Sequence, residues 1–200
     1  HFTVYDADDQ KACIKEILGS NEFSSDDILR NIERYKTDVC LSDGPWNVRG
    51  DYDAFFLDVA NAYIAAGKRA NALDYTDILT MTVRLFRDAP TVAAWHRQTW
   101  PTVLVDEYQD TNPLQEAWLD LLAPPDQHRD ITCVGDDDQS IYAFRAANVE
   151  NILQFGVKRE DATIIRLEQN FRSSSDILDH ANKIISNNVA RHGKTLFTTR

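Results

Sequence analysis

Two hundred residues leave room for one large domain or two small ones, and a composition that is 43% hydrophobic and 26% charged is that of an ordinary globular chain, not a disordered or low-complexity one. No apolar stretch approaches bilayer-spanning length, and the first residues lack the basic-then-apolar pattern of a secretory leader, so a membrane partner is not expected. The formal net charge of −11 speaks on its face against nucleic acid as a partner, yet a local basic or aromatic track is enough, and the stretch 167–200 tips basic through Arg172, Lys183, Arg191, Lys194 and Arg200.

In chain order, the first hundred residues read as mostly helical. Cys13, Ile14, Ile17 and Leu18 recur at helical spacing after Asp6, with Gly19 as a stop. Ser24 and Ser25 can cap a second helix whose apolar side is Ile28, Leu29, Ile32 and Tyr35. The stretch 41–51 is rich in turn formers and reads as a loop. A longer helix is expected over 52–66, ending at Gly67, with Lys68 and Arg69 where the helix dipole favours cations; another is expected over 75–87. At Pro101 the pattern changes. Residues 102–106, TVLVD, look like a short buried parallel strand ending in an acid. Asn112 then caps a helix with Pro113 at its first position and Gln115 completing a capping box; Leu114, Ala117, Trp118, Leu121 and Leu122 are its expected buried stripe. ITCVGD (131–136) and ATIIRL (162–167) read as further strands, and 174–186 as a helix. Strands alternating with helices over short links predict an α/β fold. Cys13, Cys40 and Cys133 are odd in number and far apart, which argues against a disulfide framework or zinc site and for buried thiols in a reducing compartment.

Asp106 and Glu107 close the first expected strand, and in open α/β sheets ligands bind beyond the carboxyl ends of strands. Two adjacent acids there suit nucleotide hydrolysis: one carboxylate holds Mg²⁺ through water and the next polarises the attacking water. Asp106, nearest the strand, is assigned to the metal, and the longer Glu107 to the water. Taken alone, the same pair could merely complement the dipole of the following helix. The full string VLVDEYQDTNPLQ, however, resembles the second motif of the UvrD/Rep/PcrA family of superfamily 1 DNA helicases, a hydrophobic strand followed by D-E-[FY]-Q-D-[TS]. The resemblance implies that Gln109 and Asp110 belong to the network around the nucleotide and its link to DNA.

Two more strings follow in the family's order. VGDDDQSIYAFRAANVENI resembles its third motif, G-D-x-x-Q-S-I-Y-x-[FW]-R-G-A, with Ala146 where the family has glycine. Gln139 carries both a donor and an acceptor, suited to reading phosphate and water together. Tyr142 and Phe144 offer faces on which single-stranded bases can stack, worth about 1–3 kcal/mol per base, although core aromatics look the same in sequence; Arg145 can reach a γ-phosphate. RLEQNFRSSSDIL resembles the fourth motif, [LV]-x-x-N-[YF]-R-S. By that resemblance Phe171 packs on adenine and Arg172 acts as an arginine finger, unless it merely forms a surface ion pair with Glu168 or Asp176.

Gly193-Lys194-Thr195 is not a phosphate-binding loop: Asn188 stands where the motif requires glycine, and no strand precedes it. It reads as a surface turn. The resemblance implies an incomplete RecA-like P-loop NTPase motor core, a parallel sheet with flanking helices, plus a mainly helical inserted subdomain. Residues 1–72 would be the accessory segment 1B. Residues 73–166, beginning near LDYTDIL, would be part of motor domain 1A, and 167–200 the start of 2A. Since the chain opens on His1 rather than Met, it is expected to be an internal piece, with the phosphate loop upstream and later motifs downstream. The implied activity is that of an ATP- and Mg²⁺-dependent cytoplasmic helicase moving 3′-to-5′ on single-stranded DNA and at junctions with duplex. Alternatives left open are a helicase–nuclease subunit of the RecB or AddA kind and a non-catalytic DNA-binding remnant.

Overall fold

The computed structural model describes residues 1–20, 23–42, 52–127, 129–141, 147–188 and 191–200. Two compact units form, His1–His96 and Arg97–Arg200. The division reports where packing is dense and is separate from the family boundaries expected at 72/73 and 166/167.

In the first unit, β1 (Thr3–Val4) leads into α1 (Ala7–Leu18), which starts at Asp6 with a reciprocal capping box to Asp9 and closes at Gly19. Ser24 caps α2 (Ser25–Leu41) through Asp27 N, and Asp53 caps α3 (Ala54–Ala70) through Phe56 N. The strand β2 (Ala72–Leu73) pairs in parallel with β1, Thr3 opposite Ala72, and Asp74 opens α4 (Tyr75–Asp88). The core is the meeting of three apolar stripes: Ile14 and Leu18 from α1, Ile28, Leu29 and Ile32 from α2, and Phe56, Val59, Ala60 and Tyr63 from α3. Gly67 does not end α3 as expected. The helix runs on for another turn because Asn71 takes the left-handed conformation (φ 49°, ψ 47°) and its N–H closes onto the Gly67 and Lys68 carbonyls. The short helix α5 (Pro90–Thr99) was not foreseen; proline at its first position loses no hydrogen bond there.

A charged group is buried in this unit. Lys36 Nζ, whose side chain is only 6% exposed, lies 2.7 Å from both Asp74 Oδ2 and Asp77 Oδ1. Tyr63 Oη donates to Asp74 Oδ2 (3.0 Å), and the Tyr63 ring faces the ammonium. The remaining carboxylate oxygens accept the backbone N–H groups of Asp77 and Asp74 in a capping box. Burial and the neighbouring Asp74 push the Tyr63 phenol far above its ordinary range.

In the second unit, β3 (Thr102–Val105) and β4 (Asp130–Cys133) pair in parallel, Thr102 opposite Asp130 through Val105 opposite Cys133. The helix α6 (Pro113–Leu122) joins them, with Asn112 and Gln115 exchanging cap hydrogen bonds. Its fully buried residues are Leu114, Leu119 and Leu122; Ala117, Trp118 and Leu121 of the expected stripe are half-buried. The helices α7 (Glu150–Leu153), α8 (Phe155–Lys158) and α9 (Ser175–Ile185) complete the unit. Lys158 pairs with Glu116 and Asp120, and Arg159 donates to the Ala123 carbonyl (2.6 Å), tying α8 to α6.

The strand β3 and the stretch 162–167 both depart from expectation. β3 is not buried on both faces, since Leu104 is 77% exposed. Residues 162–167 form no strand: no described segment offers them a ladder, and Ile164, Ile165 and Leu167 stand exposed. The nearest pairing is a single parallel bridge between Gln169 and Phe197. The fold is α/β, small parallel sheets among many helices. Among the described residues no helix is long and apolar enough to cross a membrane. The three cysteines are free; only Cys40 is fully buried, and burial pushes the Cys133 thiol up to about 12.

Candidate active site

Asp106 and Glu107 emerge, both exposed, directly beyond the carboxyl end of β3. The chain then turns sharply. Glu107 adopts the left-handed conformation (φ 49°, ψ 43°), a conformation costing a non-glycine residue about 1–2 kcal/mol. Its N–H donates to Asp106 Oδ1 (2.9 Å), and the next N–H, of Tyr108, donates to the Val134 carbonyl just past β4 (2.9 Å). The strained residue therefore diverts the chain from the β3 ladder into a 3-10 turn, Tyr108–Asp110, laid across the end of β4. Tyr108 is buried, with its hydroxyl donating to Glu116 Oε2 (2.7 Å); burial first, and that carboxylate second, raise the phenol far above its ordinary value.

Gln109 is the centre of the site. Its side chain is 1% exposed, yet its polar atoms are engaged: Nε2 donates to Glu107 Oε2 (2.9 Å) and Asp110 Oδ2 (3.2 Å), and Oε1 accepts the Asp136 N–H (2.9 Å). Gly135 makes the approach feasible. A Cβ there would lie 2.5 Å from Gln109 Oε1, 2.9 Å from Ile152 Cδ1 and 3.1 Å from Tyr108 N, so any side chain would displace the amide or the turn. Asp136 in turn accepts from Gln139 Nε2 (2.7 Å) at the end of a second 3-10 turn, Asp137–Gln139. Glu107, Gln109, Asp136 and Gln139 thus form one continuous chain of hydrogen bonds between the loops that follow the two strands.

Sequence reasoning assigned Asp106, Glu107, Gln109, Asp110 and Gln139, and these come together. It missed Asp136, the link in the chain, and Gly135, whose need for a bare Cα is visible only in three dimensions. Phe171 and Arg172 are exposed in the segment before α9. Among the described residues the Arg172 guanidinium has no ion pair, with Glu168, Asp176 or any other group, and no direct hydrogen bond or ion pair joins Phe171 or Arg172 to Glu107 or Gln109. Tyr142, Phe144, Arg145 and Ala146 lie outside the described residues.

Two features bear on a bound cation. Among the described residues, Asp106 spends one carboxylate oxygen on the Glu107 N–H and leaves the other without a partner, and the buried Asp110 Oδ1 has none. Such exposed and unsatisfied oxygens, adjacent to a strand end, fit a hard, oxygen-preferring ion such as Mg²⁺. Asp136, Asp137 and Asp138 also lie close enough together to share a cation. At least one oxygen of each is already met, by Lys194 on Asp136, by Arg191 on Asp138 (2.8 Å to Oδ2) and by the His192 N–H on Asp137 (2.9 Å to Oδ2), and two of these donors are cations, so no metal is assigned there. Partial burial alone would raise Asp136, but the hydrogen bonds from Lys194 and Gln139 outweigh it and hold the carboxyl below its ordinary 3.8.

The sequence is similar to known helicases. It is 47% identical over 131 residues to a probable DNA helicase II homolog of Rickettsia felis, covering 66% of this chain and 20% of that protein. It is 37% identical over 205 residues to the ATP-dependent DNA helicase PcrA of Leuconostoc citreum, covering 99% of this chain and 27% of that one. PcrA of Staphylococcus aureus is 35% identical over 204 residues, 99% of this chain and 28% of its own length. The chain therefore spans between about a fifth and just over a quarter of these relatives. The UvrD/REP helicase N-terminal domain matches residues 1–160, and the chain belongs to that family.

Proposed function

We propose that this chain is the part of an ATP-dependent DNA helicase that carries the water-activating acids and relays the state of the nucleotide to the DNA grip. The observation that carries the reading is the hydrogen-bonded chain from Glu107 through Gln109 and Asp136 to Gln139. It is what a device needs if a carboxylate beside the phosphate is to sense a loop that contacts the strand. The relatives named as ATP-dependent DNA helicases support the same reading.

In this proposal Asp106 holds Mg²⁺ through water, with Asp110 completing the acidic surround. The ion supplies charge neutralisation of the phosphates. Glu107 lies on the attacking water as general base; Gln109 donates to it and keeps its carboxylate oriented. Gln139 contacts the γ-phosphate side. Arg145 and Arg172 supply positive charge to the transferring group, Phe171 stacks on adenine, and Tyr142 and Phe144 stack on bases of single-stranded DNA. Residues 1–72 are a 1B-like accessory segment, 73–166 belong to a RecA-like motor domain 1A, and 167–200 open domain 2A. The intact protein moves 3′-to-5′ in the cytosol and acts on single strands and their junctions with duplex.

Glu107→Gln in the intact protein tests the assignment. ATP turnover should fall by about 100- to 10,000-fold, the range for losing a general base, with single-stranded DNA affinity kept within about twofold. Unchanged turnover would remove Glu107 from the water-activating role. The 200 residues include no glycine-rich loop ending in Gly-Lys-Thr or Gly-Lys-Ser after a strand, so this stretch alone should read blank in an ATPase assay. DNA-stimulated turnover from the isolated stretch would overturn that expectation.

A further inference from the structure

In the second unit a cluster of largely buried ion pairs joins residues more than fifty positions apart. Lys194 Nζ bonds Asp136 Oδ1 and lies 3.9 Å from Asp138 Oδ2, while Arg191 bonds the same Asp138 oxygen at 2.8 Å. The side chains are between 7% and 22% exposed, unlike the solvated surface pairs that contribute little. Gly193, at φ +66°, supplies the turn that brings Lys194 back toward the acids, a backbone conformation open to glycine. The motif that mimics a phosphate loop is thus a lysine arm aimed at carboxylates of its own chain.

The arm also has a fixed base. Thr195 N–H donates to Glu168 Oε1 (3.1 Å), Phe197 N–H to the Glu168 carbonyl (3.0 Å) and Asn170 N–H to the Phe197 carbonyl (2.7 Å). Residues 191–197 therefore join two places: the segment just before Phe171 and Arg172, and the turn that carries Gln139. At the far end Asp136 divides its carboxylate. Oδ1 takes Lys194 and the Asp138 N–H (3.0 Å), and Oδ2 takes the Gln139 amide. As a stability device the clasp is poor, since Asp138 Oδ1 and Arg191 Nε are buried without partners among the described residues.

We infer that Lys194 is a positioning residue for Gln139: its ammonium fixes the Asp136 carboxylate, which aims the Gln139 amide, and so links the Glu168–Arg172 segment to the nucleotide site. Without Lys194 the partly buried carboxylate must swing to water or take up a proton, and either event releases Gln139. Because a carboxylate, not a phosphate, is the lysine's partner, ATP affinity should not depend on it.

The inference rests on the ATPase reading above, and the experiment separates the two. In the intact protein, DNA-stimulated turnover, KM for ATP and single-stranded DNA affinity are measured for wild type, Lys194→Met, Lys194→Arg, Gln139→Ala and the Lys194→Met/Gln139→Ala pair, with circular dichroism melts to verify folding. Lys194→Met should lower kcat by about 10- to 100-fold, the scale of a misplaced catalytic group, with KM and DNA affinity within about twofold. Lys194→Arg should recover most of the loss, and Lys194→Met should add nothing once Gln139 is alanine. A wild type without turnover would sink the ATPase reading itself. A working wild type that Lys194→Met leaves unchanged, a loss that raises KM instead of lowering kcat, or one that multiplies with Gln139→Ala, would sink the positioning role alone.

Discussion

Each compact unit buries a polar network, and the two networks are finished to different degrees. Around Lys36 every carboxylate oxygen of Asp74 and Asp77 has a donor, and the ammonium has two carboxylates and an aromatic face. Around Gln109 the amide is fully engaged, but among the described residues Asp110 Oδ1 and Asp138 Oδ1 are buried without partners, and Glu107 holds a strained backbone. The largest fully buried side chains divide the same way: Ile14, Ile32, Val83 and Cys40 in the first unit, but Gln109 in the second. A closed network serves the fold. An open one, held beside exposed carboxylates, retains capacity for something outside the chain.

The largest expected effect comes from opening the closed network. Lys36→Met would leave Asp74 and Asp77 facing each other without their cation, and removing one partner of a buried pair costs about 3–5 kcal/mol. Urea denaturation of the variant should report a loss of that size. A loss below about 1 kcal/mol would show that the network relaxes easily and is no more finished than the other.

Next comes Gln109→Leu, close in volume but without the amide. It strands the Asp136 N–H and removes a donor from Glu107 and Asp110, an expected loss of about 1–3 kcal/mol. Here the stability change should be smaller than for Lys36→Met while ATP turnover of the intact protein collapses. A variant that keeps wild-type turnover would reduce Gln109 to a packing residue and erase the contrast between the units.

How much of this was visible in the sequence follows the same division. Local signals carried the helices: Ser24 and the Asn112–Gln115 box each cap where expected, because a cap is decided by a few adjacent residues. Gly67 misled because Asn71, four residues on, could take the left-handed cap and let the helix continue. The apolar stretch 162–167 misled because a strand needs a partner, which composition does not supply. At the site, a strand ending in Asp106 and Glu107 was legible, and resemblance added Gln109 and Gln139. The clasp of Lys194 and Arg191 on the Asp136–Asp138 turn was not, since nothing near either end of a 53- to 58-residue separation announces the other.

The smallest expected effect is the most discriminating, because it asks what holds the turn at Glu107. If the backbone conformation is the constraint, Glu107→Gly relieves strain of about 1–2 kcal/mol, against the roughly 0.5–1 kcal/mol of chain entropy that glycine adds to the unfolded state. The lost bond to Gln109 is partly replaced, since Nε2 keeps Asp110. Thermal unfolding should therefore be unchanged or slightly later, within about 1 kcal/mol, while turnover is lost with the carboxylate. Stability gained as activity disappears is the expected signature of a residue kept strained for its side chain. A destabilisation well beyond 1 kcal/mol would mean that the Glu107 carboxylate itself braces Gln109, and the second network would then be structural in the same sense as the first.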